Sequence, residues 1–257
     1  VLFFAHAPQV LISNWQRIRK KKVIWRSIGQ SNQSLERLLQ PLRNDGLHVV
    51  WYSPKEKLIP DFMGSDETIR FYKDPAEWCD WNGKVRQVIN MTQTLKGRRN
   101  YCHFDHITYI MGGFPAKVFG PGNEDLGMMN GGKLPYDMMR QQLKDSRVFV
   151  YAGTWPAAYT LSFIEAWMTG IPIVAIGPKY ANSIFKDQNS YEIPDLIENG
   201  VNGFWSDNIQ ELRGYIKTLL DDSGLAEQIG KEGRKKAIAI FEKEKIKQQW
   251  KEFLEKI

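Results

Sequence analysis

Short apolar runs alternate with amphipathic stretches along this chain, and that alternation predicts most of its elements. Residues 1–5, 23–25 and 48–52 read as buried strands. Between them, residues 10–20 carry Leu11, Trp15 and Ile18 at helical spacing, and residues 35–42 form a second helix. Ser34 stands where a cap would start that helix, and Asn44-Asp45-Gly46 ends it. Residues 53–64 read as a loop and 69–72 as a short strand before Asp74-Pro75. The rhythm then repeats, with strands at 85–90, 116–119, 148–151 and 171–176. Helices are expected at 101–111, 135–143 and 161–168. Residues 191–204 hold a helix end, an Asn-Gly turn and a short strand; Asp207 and Gln210 make a capping-box-like start for a helix to Leu220. Ile246, Trp250, Phe253 and Ile257 mark a last helix. Strands separated by helices predict parallel sheets, hence an α/β fold.

The stretch from Thr154 to Gly170 concentrates the chemistry. Its helix is apolar nearly all round, through Leu161, Phe163, Ile164, Ala166, Trp167 and Met168, so it belongs in a core between two strands. Glu165 interrupts it, and a carboxylate in such surroundings needs a partner. A strand–turn–helix unit points its helix N-terminus, with unpaired N–H groups, toward the strand ends where phosphates bind. Thr154, Tyr159, Thr160 and Leu161 would line that entrance, with Glu165 one turn inside, in reach of a ribose hydroxyl.

The segment A-A-Y-T-L-S-F-I-E-A-W-M-T-G-I-P-I-V resembles, position by position, the donor-site segment of GT-B glycosyltransferases, especially retaining group four. The resemblance implies two Rossmann-like parallel-sheet domains facing a cleft, with a short first domain. It places an acceptor-side domain at residues 1–82, a donor-binding domain at 83–241, and a C-terminal helix at 242–257 crossing back to the first. It implies transfer of a sugar, with retention, from a nucleotide-diphosphate-sugar to a glycan or lipid-linked acceptor, with no metal and no cofactor. Glu165 would hold the ribose. The family's earlier Glu, which contacts the donor sugar, is Ala157 here. Lys96-Gly97 matches the family's phosphate-binding pair; the Arg that precedes it there is Met91, for which Arg98 or Arg99 would substitute. Gly131-Gly132-Lys133-Leu134 resembles the base-reading segment.

Several residues stand out without that resemblance. Gly120-Pro121-Gly122 follows a strand beside the expected nucleotide, although such pairs are usually plain turns. Arg26, Ser27, Gly29 and Gln30 sit at a strand end facing the cleft, and His6 ends the neighbouring strand; Arg26 and His6 are the catalytic candidates, and Ser27, Gly29 and Gln30 acceptor-side ones. Their bland reading is a strand–helix connection and a structural histidine. His103 and His106 lie one helical turn apart, but no second ligand cluster accompanies them, which favours a helix start over zinc.

Composition narrows the classes. The 257 residues suffice for two modest domains, and two cysteines, Cys79 and Cys102, argue for no disulfide framework. No apolar run reaches membrane-spanning length. The net charge is +6, and residues 1–35 hold six Lys or Arg and no Asp or Glu. That asymmetry suggests an anionic partner, with Arg17 to Lys22 touching an anionic membrane from a cytoplasmic, peripheral position on its inner face. Two competitors remain. One is a non-catalytic nucleotide-binding module of the same fold. The other is a nucleic-acid-binding protein using Trp15 and Trp25; the core spacing of those tryptophans speaks against nucleic acid.

Overall fold

The computed structural model describes residues 2–182 and 189–257. The first lobe begins with β1 (Leu2–Ala5), α1 (Pro8–Ile18), β2 (Lys22–Arg26), α2 (Gln33–Asn44), β3 (His48–Trp51) and β4 (Glu67–Thr68). The four strands are parallel in the order β1-β2-β3-β4. Alternate residues of β2 and β3 face opposite sides, as strand geometry requires. Val23, Trp25, Val49 and Trp51 therefore pack with Leu11, Trp15, Leu35 and Leu39 of α1 and α2, while Ile24 and Val50 face the other way. The tryptophans a nucleic-acid reading would need are thus core residues: Trp25 is fully buried, and the Trp15 indole N–H donates to Asp45 at 2.8 Å.

The second lobe runs through β5 (Val85–Met91), α3 (Phe104–Met111), β6 (Ala116–Phe119), β7 (Asn130–Gly132), α4 (Tyr136–Asp145), β8 (Ser146–Tyr151) and α5 (Leu161–Thr169). It continues with β9 (Ile173–Ile176), α6 (Pro178–Ala181), α7 (Ile193–Leu196), β10 (Phe204–Ser206), α8 (Ile209–Asp221) and α9 (Ser223–Phe241). Its six parallel strands lie in the order β10-β9-β8-β5-β6-β7. The last helix, α10 (Lys243–Lys256), leaves this lobe and lays Ile246 and Phe253 against Ile24, Val50 and Ile69 of the first.

Some boundaries differ from expectation for local reasons. The strand expected at 69–72 lies at Glu67–Thr68; after the Ile69 amide bonds Trp51 O, the chain turns away and the Lys73 amide bonds Phe241 O in the second lobe. Asn32, rather than Ser34, caps α2, its Oδ1 accepting from the Leu35 amide at 3.1 Å. Asn208 caps α8, because Asp207 is occupied by the Lys179 amide. The helix expected from Tyr101 starts at Phe104, after a run of turns. The apolar pattern does not predict the long α9.

The lobes meet through a polar and aromatic seam. The Ala158 amide donates to Tyr52 Oη at 2.6 Å, and Tyr159 Oη donates back to Tyr52 O at 2.8 Å. Glu192, nearly fully buried on the second lobe, takes the Arg70 guanidinium and the Ser53 hydroxyl from the first. Lys55 reaches Asp195 at 2.7 Å.

Candidate functional site

Strands β5 and β8 are neighbours, but the chain leaves them in opposite directions, from β5 to β6 and from β8 to β9. Such a switch point opens a crevice at the strand C-terminal ends. A cleft of about 310 Å³ lies there. Asn90 to Gln93 at the end of β5 form one wall, Tyr151 at the end of β8 and Thr154 another, and Thr160, Leu161 and Ser162 at the start of α5 close it.

The α5 N-terminus keeps its positive end available. Thr160 makes no side-chain cap bond, its hydroxyl facing Ser162 Oγ at 2.9 Å, and the first turn holds no acidic residue. The Tyr151 hydroxyl accepts from the Thr160 amide and fixes the turn. Arg98 supplies the matching side-chain charge: it lines the cleft, and among the described residues no carboxylate pairs with it. Lys96 and Arg99 stand elsewhere. Lys96 is half-exposed and pairs with Asp125 at 3.2 Å, and Arg99 is bound to Asp105 over the ring of Phe104. Of the three expected cations, the fold therefore brings one to the helix end.

Leu161, half-exposed, divides this cleft from a second hollow of about 430 Å³. Phe71, Tyr72, Lys73 and Asp74 of the interlobe connection form its wall, with Glu77 and Lys243. Glu165 lies below Leu161 and is largely buried. The partner its burial demanded is Lys73, whose ammonium is ion-paired with Glu165 Oε1. Glu165 thus faces the Lys73 side of Leu161, not the cleft at the α5 end.

Other expected residues take structural roles. The Tyr159 side chain is buried in the lobe seam against Tyr52, Phe71 and Phe241, and burial raises its hydroxyl above the ordinary phenol range. Gly120 and Gly122 do not line the cleft. Their φ values are +139° and +74°, and a Cβ on them would meet Thr92 O at 2.8 Å and Thr94 Oγ1 at 2.7 Å. They let the loop after β6 pack against the one after β5, whose Thr92 and Gln93 form the cleft wall. Gly131 lies on β7 against the Phe119 ring.

In the first lobe, His6 is exposed and lines a separate hollow between β1 and α1. The Arg26 guanidinium donates to Trp51 O at 2.9 Å between the rings of Phe71 and Trp250, and burial lowers it to about 10. Neither reaches the cleft at α5. Gln30 donates to His6 O, and Gly29, at φ +100°, sits against Ala157: a Cβ there would lie 3.0 Å from the Ala157 Cβ. The loop after β2 and the turn before α5 therefore touch at Ala157. His103 and His106 stand with ring centroids 6.2 Å apart, and among the described residues no group of three or more His, Cys, Asp or Glu could hold a metal. Burial lowers His103 to about 4, keeping it neutral.

Ser27 anchors its loop differently, donating to the buried Glu56 at 2.9 Å. Glu56 and the fully buried Glu36 are both raised to about 7, chiefly by burial. A carboxyl that is harder to ionise when folded contributes stability that is complete below about pH 4.5 and fades as pH climbs through 7. Glu36→Gln keeps the acceptor for the Met63 amide. We expect urea melts of the parent to lose about 1 kcal/mol on this account between pH 6 and pH 8, and the variant to lose that much less. Equal pH slopes in both proteins would exclude Glu36 as a source.

No protein-family model and no curated protein matches the chain. Solved structures do. HepE of Anabaena, in complex with UDP-glucose, superposes with a TM-score of 0.72 at 17% identity, covering 100% of this chain and 79% of that one. Sucrose-phosphate synthase of Thermosynechococcus elongatus gives 0.74 at 13% identity, over 99% of this chain and 73% of that one. S. aureus TarM gives 0.70 at 16%, over 98% and 55%. The fold is GT-B. Within it, the sequence pattern missed two contributors. Lys73 lies 92 positions from Glu165 and carried no local signal. Asn90 did carry one, as a polar residue ending an apolar strand at the switch point.

Proposed function

We propose that this chain is a glycosyltransferase that takes a sugar from a nucleotide-diphosphate-sugar and passes it to a glycan or lipid-linked acceptor. One observation carries the reading: the uncapped α5 N-terminus and Arg98, with which no carboxylate among the described residues pairs, share a cleft at the switch point of the six-stranded sheet. Both are suited to a diphosphate, the helix end through its amides and the guanidinium through paired hydrogen bonds. The donor lies across Leu161. Its diphosphate sits at Arg98, Thr160 and Ser162, and its ribose at the Lys73–Glu165 pair. Charge developing on the leaving diphosphate is stabilised by those same groups. Among the described residues no Asp, Glu or His lines the cleft. A departing phosphate oxygen can take the acceptor proton instead, on the face it leaves from, which accords with retention of configuration. Arg17 in the last turn of α1 and Lys20 and Lys21 just after it are exposed and placed to hold the enzyme at an anionic membrane surface.

Calorimetry with UDP and turnover of UDP-sugars over an acceptor panel test the reading. UDP binding without turnover of any donor would favour a binding module. For the ribose role, Glu165→Ala should weaken UDP binding about tenfold, the loss of one charge-assisted hydrogen bond; unchanged affinity would remove Glu165 from the site.

A further inference from the structure

Asn90 is the next-to-last residue of β5, it lines the cleft, and it is only 2% exposed. Its Nδ2 donates to Val150 O of β8 at 3.0 Å. A backbone carbonyl can only accept, so that bond fixes which way the amide is turned. The other end, Oδ1, is buried and finds no hydrogen-bond partner among the described residues. Buried acceptors are rarely left so, because the lost hydration is not returned.

We propose that Asn90 Oδ1 receives a hydroxyl of the transferred sugar and makes Asn90 a specificity-determining residue of the cleft. A phosphate oxygen does not fit that atom, because two acceptors repel; the ligand must present a donor, and the N–H groups of a base lie with the ribose. A nucleotide-sugar carries hydroxyls on its ribose and on its sugar. The ribose is accounted for beyond Leu161, at Lys73 and Glu165, which leaves the sugar for the Asn90 side. The assignment rests on the donor reading given above. It also explains how a site with Ala157 in place of a carboxylate would still read its sugar: from the floor of the sheet rather than from the turn before α5.

Calorimetry of the whole chain with UDP and with UDP-glucose provides the test. Asn90→Ala and Asn90→Ser should bind UDP within twofold of the parent and UDP-glucose about tenfold more weakly. A second arm needs no variant to succeed: the parent, offered a series of singly deoxygenated UDP-glucoses, should lose about tenfold at one position. Where Asn90→Ala folds, it should not distinguish that analogue from UDP-glucose. Equal weakening of UDP and UDP-glucose would make Asn90 a structural or nucleotide contact and overturn the assignment. So would unchanged affinity for both, or a parent indifferent to every deoxygenated position. A parent that binds neither uridine nor guanosine diphosphate, free or glucose-linked, would remove the donor reading, and this assignment with it.

Discussion

An Arg98→Ala variant is expected to bind UDP up to about 100-fold more weakly than the parent, while Lys96→Ala and Arg99→Ala stay within about threefold. The asymmetry follows from where the charges are already committed. A hydrogen bond between a guanidinium and a phosphate is worth about 1.5–3 kcal/mol, and paired bonds sit at the upper end. Arg98 has that capacity free in the cleft, next to a helix end that attracts the same anion. Lys96 and Arg99 are already neutralised by Asp125 and Asp105 and stand largely in solvent, where ion pairs contribute little. Calorimetry on the three variants gives the answer. Three equal losses would mean that the loop acts as one diffuse basic surface, and a loss confined to Lys96 would restore the family's own pattern.

Glu192→Ala should destabilise the protein by about 3 kcal/mol or more, the larger of the two expected effects on folding. Glu192 is 2% exposed and accepts from Arg70 and Ser53 across the lobe boundary. Removing it leaves the Arg70 guanidinium enclosed between the rings of Tyr159 and Phe241 with no counter-charge. Breaking one half of a buried pair costs about 3–5 kcal/mol, whereas replacing both halves by apolar groups is often neutral. The double variant Arg70→Met with Glu192→Leu should therefore recover most of the loss in a urea melt. If the single variant melts like the parent, the pair is solvated in practice and the seam is held by its aromatic rings alone.

The fold was legible because strand and helix periods are local. The strand 116–119 and the helix beginning at Leu161 are written in consecutive residues. Helix α9 was not legible. Its buried face is Ala226, Ile229, Gly230, Gly233, Ala237 and Phe241: the alanines favour a helix, but two large apolar residues twelve apart make no visible stripe, and the glycines read as breakers until the neighbours are seen. A Cβ on Gly230 would meet Gly170 O at 2.1 Å, and one on Gly233 the Trp167 indole at 2.7 Å, so the glycines are there to let α5 and α9 approach. The site divides in the same way. Thr154, Thr160 and Leu161 could be placed from strand–turn–helix order alone. The sequence could not tell which of Lys96, Arg98 and Arg99 would be free, because their carboxylate partners lie on other turns of the chain. Nor could it show that Tyr159 would turn inward: Tyr52, which receives its hydroxyl, is 107 residues away.

The chain crosses between its lobes twice, and the two crossings run side by side. Lys73 bridges to Glu242 as adjacent parallel segments do, and the Lys73 amide bonds Phe241 O at 3.0 Å. A rotation of one lobe against the other would bend the chain at these two covalent crossings, as a door turns on its hinge. Lys73, ion-paired with Glu165, stands at that crossing. On the donor placement proposed above, the ribose end would be held at this crossing, where relative motion of the lobes is smallest.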